Sequence, residues 1–375
     1  MGIKIKEIDS KRDLKKFISF PFSLYKKSRY WIAPLVQNEL NTLREDKNPA
    51  FEYCEAKYWI AYKEGEPAGR IAGIINHKFI KKWKIPFANF SRFDFINDRS
   101  VSAALLSQVE EWASEKGLEG IHGPLGFTNF DQQGMLVKGF DELPTLASVY
   151  NYDYYPEHME ANEWEKEIEY VEYEVKTPDH IPEKAKRLSD IVLKRYGLNL
   201  FKASSKKKLL PFAGQIFEVI NKSYKDIFYA VDLSAEQIEM YKNKYLSFIR
   251  PEFVSLVIDS EERVIGFQIS MPSLSKAFQK ARGRLFPLGF FHILKALRFP
   301  KNLDLYLVGI IPQYQNKGIN AVFMTDLTKT ALKYGIDSVE TNSELETNTK
   351  VRAFWNYYEA RMHKRKRVYK RKFAL

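Results

Sequence analysis

Cysteine is almost absent: Cys54 is the single one in 375 residues. A lone thiol excludes an internal disulfide and any structural zinc module built from several thiolates, and it fits a reducing compartment. Histidine is scarce too, six residues scattered singly, and no nucleophile-elbow, kinase or metalloprotease pattern occurs. Ser/His/Asp catalysis and a metal centre are therefore not expected. No run approaches the ~20 consecutive apolar residues of a spanning helix. The N-terminal MGIKIKEIDSKRDLKKF lacks the apolar core of a secretion signal, so the expected location is cytoplasmic.

What is present is a chain able to bury real cores, with 45% hydrophobic and 28% charged residues. Its length exceeds a domain of ~100–150 residues and predicts two or three of them. Aromatics are abundant, 27 Phe and 22 Tyr, and serve first as core. The formal charge of +12 favours an anionic partner: a phosphorylated cofactor, nucleic acid or an acidic membrane surface.

One plan occurs twice. Residues 57–76, KYWIAYKEGEPAGRIAGIIN, and 252–271, EFVSLVIDSEERVIGFQISM, both read as β-hairpins with a glycine early in the second strand, Gly69 and Gly266. Each is followed by an amphipathic helix capped by Gly, Gly117 or Gly335, and then by a strand. From Gly69 to Gly117 is 48 positions and from Gly266 to Gly335 is 69, so the second copy carries 21 more. The excess falls within 273–302, SLSKAFQKARGRLFPLGFFHILKALRFPKN, which holds Phe, Leu, Lys and Arg and no acidic residue. The prolines of KTPDHIPEK place the boundary between copies at about 175, giving domains 1–175 and 176–375.

The segment richest in chemistry is the strand LDLYLVGI, 303–310, running through IPQYQNKG into a helix. The first backbone N–H groups of such a helix are unsatisfied and form a seat for a pyrophosphate. Gly318 lets backbone approach phosphate, and Lys317 and Gln315 add donors; a simple packed strand-to-helix connection is the competing reading.

With these residues in view, the sequence resembles the GNAT superfamily of acyl-CoA-dependent N-acyltransferases. Pro312 to Asn320 is similar to the family's Q/R-x-x-G-x-G/A loop: Gln315 and Gly318 match, and Asn320 stands where Gly or Ala is usual. The tandem arrangement, with RYWIAPL, KNPAFEY, GPLGFTNFDQQGMLVKGFD and YNYDYYPEHMEANEW in the first half, resembles the two-domain YghO-like branch. The resemblance implies an α/β fold of tandem GNAT-like domains, each a mixed, mostly antiparallel sheet flanked by helices. It also implies an acetyl-CoA or other acyl-CoA site made by Gly309, Ile310, Gln315, Asn316, Lys317, Gly318, Ile319 and Asn320, with Asn348 starting the next helix. For the acid that protonates the leaving thiolate, counting seven from Asn348 reaches Trp355, so Tyr358 is the first candidate and Tyr357 the second; core packing is the alternative for both. For the base, Glu340 is the candidate, with Asp304, Glu344 and Glu346 nearby.

The first copy has no glycine or basic cradle in INDRSVSAAL, and Asp98 or Ser100 caps its helix, so it is expected to be a degenerate domain without a pyrophosphate loop. The expected acceptor is a small-molecule amine; a lipid amine such as a sphingoid base would account for the insertion, and a silent ligand-binding module is the reading from another class. The stretch 283–299 is suited to peripheral membrane contact, a lid or an oligomer contact. The basic run 363–372 is read as a solvated last strand, and nucleic acid is not the expected partner.

Overall fold

The computed structural model describes residues 2–246 and 249–373. Fourteen strands are found among them: β1 (Lys4–Glu7), β2 (Cys54–Lys63), β3 (Glu66–Asn76), β4 (Phe87–Phe95), β5 (Gly120–Gly123), β6 (Met135–Lys138), β7 (Glu165–Lys176), β8 (Asn199–Phe201), β9 (Val254–Ile258), β10 (Val264–Pro272), β11 (Asn302–Ile310), β12 (Ser338–Thr341), β13 (Glu344–Leu345) and β14 (Ala360–Lys372). The helices that bear on function are α1 (Lys11–Leu24), α2 (Arg99–Glu115), α3 (Tyr154–Ala161), α4 (Glu183–Tyr196), α5 (Ala213–Ser223), α6 (Ser275–Ala281), α7 (Gly289–Arg298), α8 (Ile319–Tyr334) and α9 (Thr349–Phe354).

The repeat read from the sequence is real. In the first half β2, β3 and β4 are antiparallel and β4 pairs parallel with β5; in the second, β9, β10, β11 and β12 do the same. Gly69 stands opposite Phe95 and Gly266 opposite Ile310, which fixes the correspondence residue by residue. A Cβ on Gly69 would lie 2.7 Å from Leu105 of α2, so the glycine admits the helix to the sheet. The helices end as expected, with Gly335 at φ 62° capping α8. Asp98, not Ser100, caps α2, accepting the Ser100 N–H at 2.9 Å.

The two halves do not form separate sheets. The order is β1-β2-β3-β4-β5-β14-β7-β12-β11-β10-β9-β8, so each half's last long strand crosses over: β14 pairs with β5, and β7 pairs with β12. β7 and β14 lie antiparallel to one another at the centre. This corrects the reading of 363–372 as a solvated strand end. Lys364 and Lys366 are buried, because β14 is interior and β7 supplies their counter-charge: Glu172 lies 2.9 Å from Lys366 and 3.5 Å from Lys364. Arg365 and Arg367 pair with Glu169, Lys370 with Glu165, Arg371 with Glu110 and Lys372 with Glu119. The seven cations thus have intramolecular partners.

The final helix ends before either candidate tyrosine. α9 ends at Phe354, a 3-10 turn covers Trp355–Tyr357, and Tyr358 is already extended at φ −126° and ψ 159°. The chain must straighten there because Ala360 enters the ladder opposite Val175.

Removing Glu172 leaves the buried Lys366 ammonium without a carboxylate and Lys364 with Glu340 alone. Glu172→Ala should therefore cost about 3–5 kcal/mol of unfolding free energy in a urea titration. Burial pushes the Glu172 carboxyl up, but Lys366 and Lys364 more than reverse this and hold it at about 2. Its folded value lies below the unfolded value of ~4.3, so its contribution is complete above that pH and is lost as the pH falls toward about 2.

Candidate active site

Strands β11 and β12 run together from Asn302–Ser338 to Leu305–Thr341 and then part. The fork opens at a β-bulge: Leu305 faces Ser270 and Leu307 faces Ile269, which makes Tyr306 the extra residue of the bulge. Beyond it, the Ile311 N–H bonds Ile265 at 3.0 Å, so by antiparallel alternation Gly309 also turns its backbone toward β10. Val308 and Ile310 turn theirs into the fork, where β12 does not reach. Of the two amides implied by the resemblance, that of Ile310 therefore faces the fork and that of Gly309 does not, Val308 facing it instead. Gly309 instead makes room for Phe267, which a Cβ would approach to 2.6 Å. The fork-facing carbonyls are engaged: Tyr224 Oη donates to Val308 O at 3.0 Å, and Gln315 Nε2 donates to Ile310 O at 3.0 Å.

Gln315 is thus a brace of its own loop rather than an outstretched donor. Asn316 at φ 59° and Gly318 at φ 84° turn the chain, and α8 starts at Ile319 with its first N–H groups at the loop. Ile319 is buried, whereas Asn316, Lys317 and Asn320 are exposed on the loop and first helical turn. Lys317 Nζ stands 5.2 Å above the Tyr196 ring and 5.0 Å above Tyr314. Asn348 caps α9, accepting the Val351 N–H at 3.3 Å.

At the crotch of the fork, Asp304 and Glu340 are direct neighbours on β11 and β12. Asp304 is buried, and burial, reinforced by Glu340, pushes its carboxyl up to about 7. Its Oδ1 is buried with no hydrogen-bond partner among the described residues. Glu340 is occupied differently: its Oε2 lies 3.1 Å from Lys364 Nζ. Of these two neighbouring carboxyls it is therefore Asp304 whose ionisation moves to near neutral pH, with Glu340 adding to the shift. Glu344, in the same fork, is likewise raised to about 7 by burial and accepts the Trp355 indole N–H at 3.0 Å. That bond explains why Trp355 occupies the expected tyrosine position. Tyr358 packs edge-on against Trp355, and burial raises its phenol above the ordinary value. Tyr357, on the 3-10 turn, is 75% exposed with Lys184 over its ring, whereas Tyr358 is half-buried.

Beside Asp304 lies a cavity of about 320 Å³ walled by both halves. Tyr306, Met271, Leu274 and Phe278 face it from the second half; Arg92, Asp131, Gln132 and Tyr150 face it from the first. Segments cited above only for the resemblance, GPLGFTNFDQQG and YNYDYY, are thus part of a wall. Nothing in their spacing linked them to Asp304; only the interlocked sheet does.

No family model matches the chain. In sequence it is similar to protein YghO of Escherichia coli strain K12, 26% identical over 369 residues that cover 96% of this chain and 93% of that one. It is also similar to a bacterial ceramide synthase of Caulobacter vibrioides, 22% identical over 313 residues, 81% of this chain and 79% of that one. Among solved structures, a tandem GNAT protein from the clavulanic acid biosynthesis pathway superposes with a TM-score of 0.56, at 10% identity, over 99% of this chain and 98% of that one. A GCN5-related N-acetyltransferase from Anabaena variabilis gives 0.51 at 11% identity, over 98% and 72%. The chain has the tandem GNAT fold.

The first GNAT unit has the same fork, filled with its own side chains. Phe95 corresponds to Ile310, yet its N–H donates to Tyr155 Oη at 3.0 Å and its carbonyl accepts from Tyr154 Oη at 2.6 Å. Both tyrosines belong to α3, whose His158 also lies 2.9 Å from Ser102 in the first turn of α2. Asn89 and His122, 2.8 Å apart, stand where the second unit has Asp304 and Glu340. In the first unit a helix, α3, thus lies across the fork.

The raised carboxyl of Asp304 has a stability signature. The unfolded value is ~3.9, so the ionised form weighs against the fold increasingly as pH rises to about 7. The stabilisation gained from Asp304→Asn should grow between about pH 4 and pH 7, by about 2–4 kcal/mol in all. Urea midpoints across that range measure it, and a pH-independent increment would contradict it.

Proposed function

We propose that the protein is an acyl-CoA-dependent N-acyltransferase whose second GNAT unit delivers the acyl group to an amine held in the cavity between the units. The observation that carries this reading is that one strand, β11, bears both the fork-facing Val308 and Ile310 N–H groups and, before its bulge, a buried carboxyl raised to about 7 beside the cavity. Residues of the second fork fit an acyl-CoA: Gly318 and the start of α8 suit anionic phosphates, and the two amides suit a carbonyl oxygen. The thioester supplies an activated carbonyl and a thiolate leaving group. The chain's residues do the rest. Asp304, deprotonated, accepts a proton from the ammonium of the acceptor and so frees its lone pair. Tyr358, kept protonated by burial, is the donor to the departing sulfur. The Ile310 and Val308 amides polarise the carbonyl and hold the developing oxyanion. The first unit, its own fork closed, contributes the far wall of the acceptor cavity.

A lipid amine, such as a sphingoid base, is the acceptor class favoured by a specific feature: Leu274 and Phe278 give the cavity an apolar side. The similarity to a bacterial ceramide synthase supports the same class.

Two measurements test the reading. Calorimetry should detect CoA binding to the wild type and none to Gly318→Glu, which adds bulk and negative charge at the loop. If neither binds at millimolar CoA, the silent-module reading replaces this one. With an acceptor in hand, kcat/KM should rise with pH and level off above about 7. Asp304→Asn should lower turnover by ~10²–10⁴-fold while leaving CoA affinity nearly intact.

A further inference from the structure

The 21-residue excess of the second unit folds as a hairpin of α6 and α7 with two unlike faces. Its inner face is core: Ile293, Ala277, Phe278 and Leu274 are buried against Leu35 of the first unit. Its outer face is not. Phe286 is 76% exposed, Phe299 67%, Leu288 66% and Phe291 64%, with Leu294 beside them on α7. A patch of this kind on a folded chain marks a contact surface. The cations around it decide which kind. Residues 273–302 hold seven Lys and Arg and no Asp or Glu, and Arg282, Arg284, Lys295 and Arg298 are all exposed.

We propose that the outer face of this hairpin docks on an anionic lipid bilayer. The phenylalanines and leucines enter the acyl boundary, and the basic residues stay among the headgroups. The charge argues against a second copy of the chain in that place, since a symmetric contact would set these cations against their own images. No helix among the described residues is long and apolar enough to cross a bilayer, so the contact is peripheral. The inner face of the same hairpin lines the cavity through Leu274 and Phe278, and docking therefore sets that cavity beside the lipid surface. The proposal goes beyond acyl transfer and does not rest on it, because binding is read without turnover.

The test is co-sedimentation of the full chain with phosphatidylcholine vesicles, with and without phosphatidylglycerol. The wild type should pellet with the anionic vesicles in low salt, detach as salt screens the cations, and bind neutral vesicles at least ~tenfold more weakly. Phe286→Ser with Phe291→Ser, and separately Lys295→Glu with Arg298→Glu, should each weaken anionic-vesicle binding by ~tenfold or more. All four side chains are exposed, so unchanged thermal unfolding certifies that each variant is folded. Wild-type protein that ignores anionic vesicles in low salt would overturn the proposal, as would folded Phe variants that bind as well as wild type. Light scattering that shows a dimer abolished by the Phe pair, with no vesicle binding, would assign the face to a second copy instead.

Discussion

Strand β14 can occupy the centre of the sheet only because β7 is its electrostatic complement. β7 carries Glu165, Glu167, Glu169, Glu172 and Glu174, and β14 carries a Lys or Arg at most positions. Burial of such groups is costly, and a buried ion pair is weak evidence of net stability. Its effect here is choice of partner and register. With Glu172 between Lys364 and Lys366, and Glu340 on the next strand also reaching Lys364, a slip of one residue would strand charges in the interior. Everything at the candidate site follows from that register. Glu340 is drawn toward Lys364, Asp304 beside it has no cation of its own, and its carboxyl rises.

The two forks show how one backbone plan is opened in one copy and closed in the other. Both have a bulge beside the fork, and both turn the same strand positions into it. In the first unit Tyr154 and Tyr155 satisfy the Phe95 backbone, and Tyr155 joins Tyr25 and Asp94 in a buried hydroxyl–carboxylate cluster. In the second unit the corresponding turn packs Trp355 onto Glu344 and leaves the Val308 and Ile310 amides facing the fork. Deletion of one unit would therefore remove either the fork or a wall of the cavity.

Much of this was legible in the sequence, because local signals wrote it. The hairpins around Gly65 and Glu262, the caps at Gly117 and Gly335, and the strand entering the Gly318 loop each depend on residues near one another in the chain. The rest depends on long-range pairing. Exchange of the last strands leaves the alternation of β7 and β14 unchanged, so Lys364 and Lys366 read as solvated until their neighbours are known. The bulge at Tyr306 shifts which amides face the fork, and a pattern match carries Gly309 over in place of Val308. Asp304 and Glu340 look alike as strand carboxylates; the position of Lys364 separates them. Tyr357 and Tyr358 looked like parts of one helix because nothing local announces how early β14 must begin.

The crossed strands also set an order of assembly during synthesis. When the first unit has emerged from the ribosome, β5 lacks the neighbour that will cover its edge, and β7 has no place in the sheet of its own unit. Both remain unpaired edges, open to aggregation, until nearly two hundred further residues are made and β14 slides between them. The protein thus behaves in its making as a single unit, with its last strand acting as the bolt that closes both halves at once.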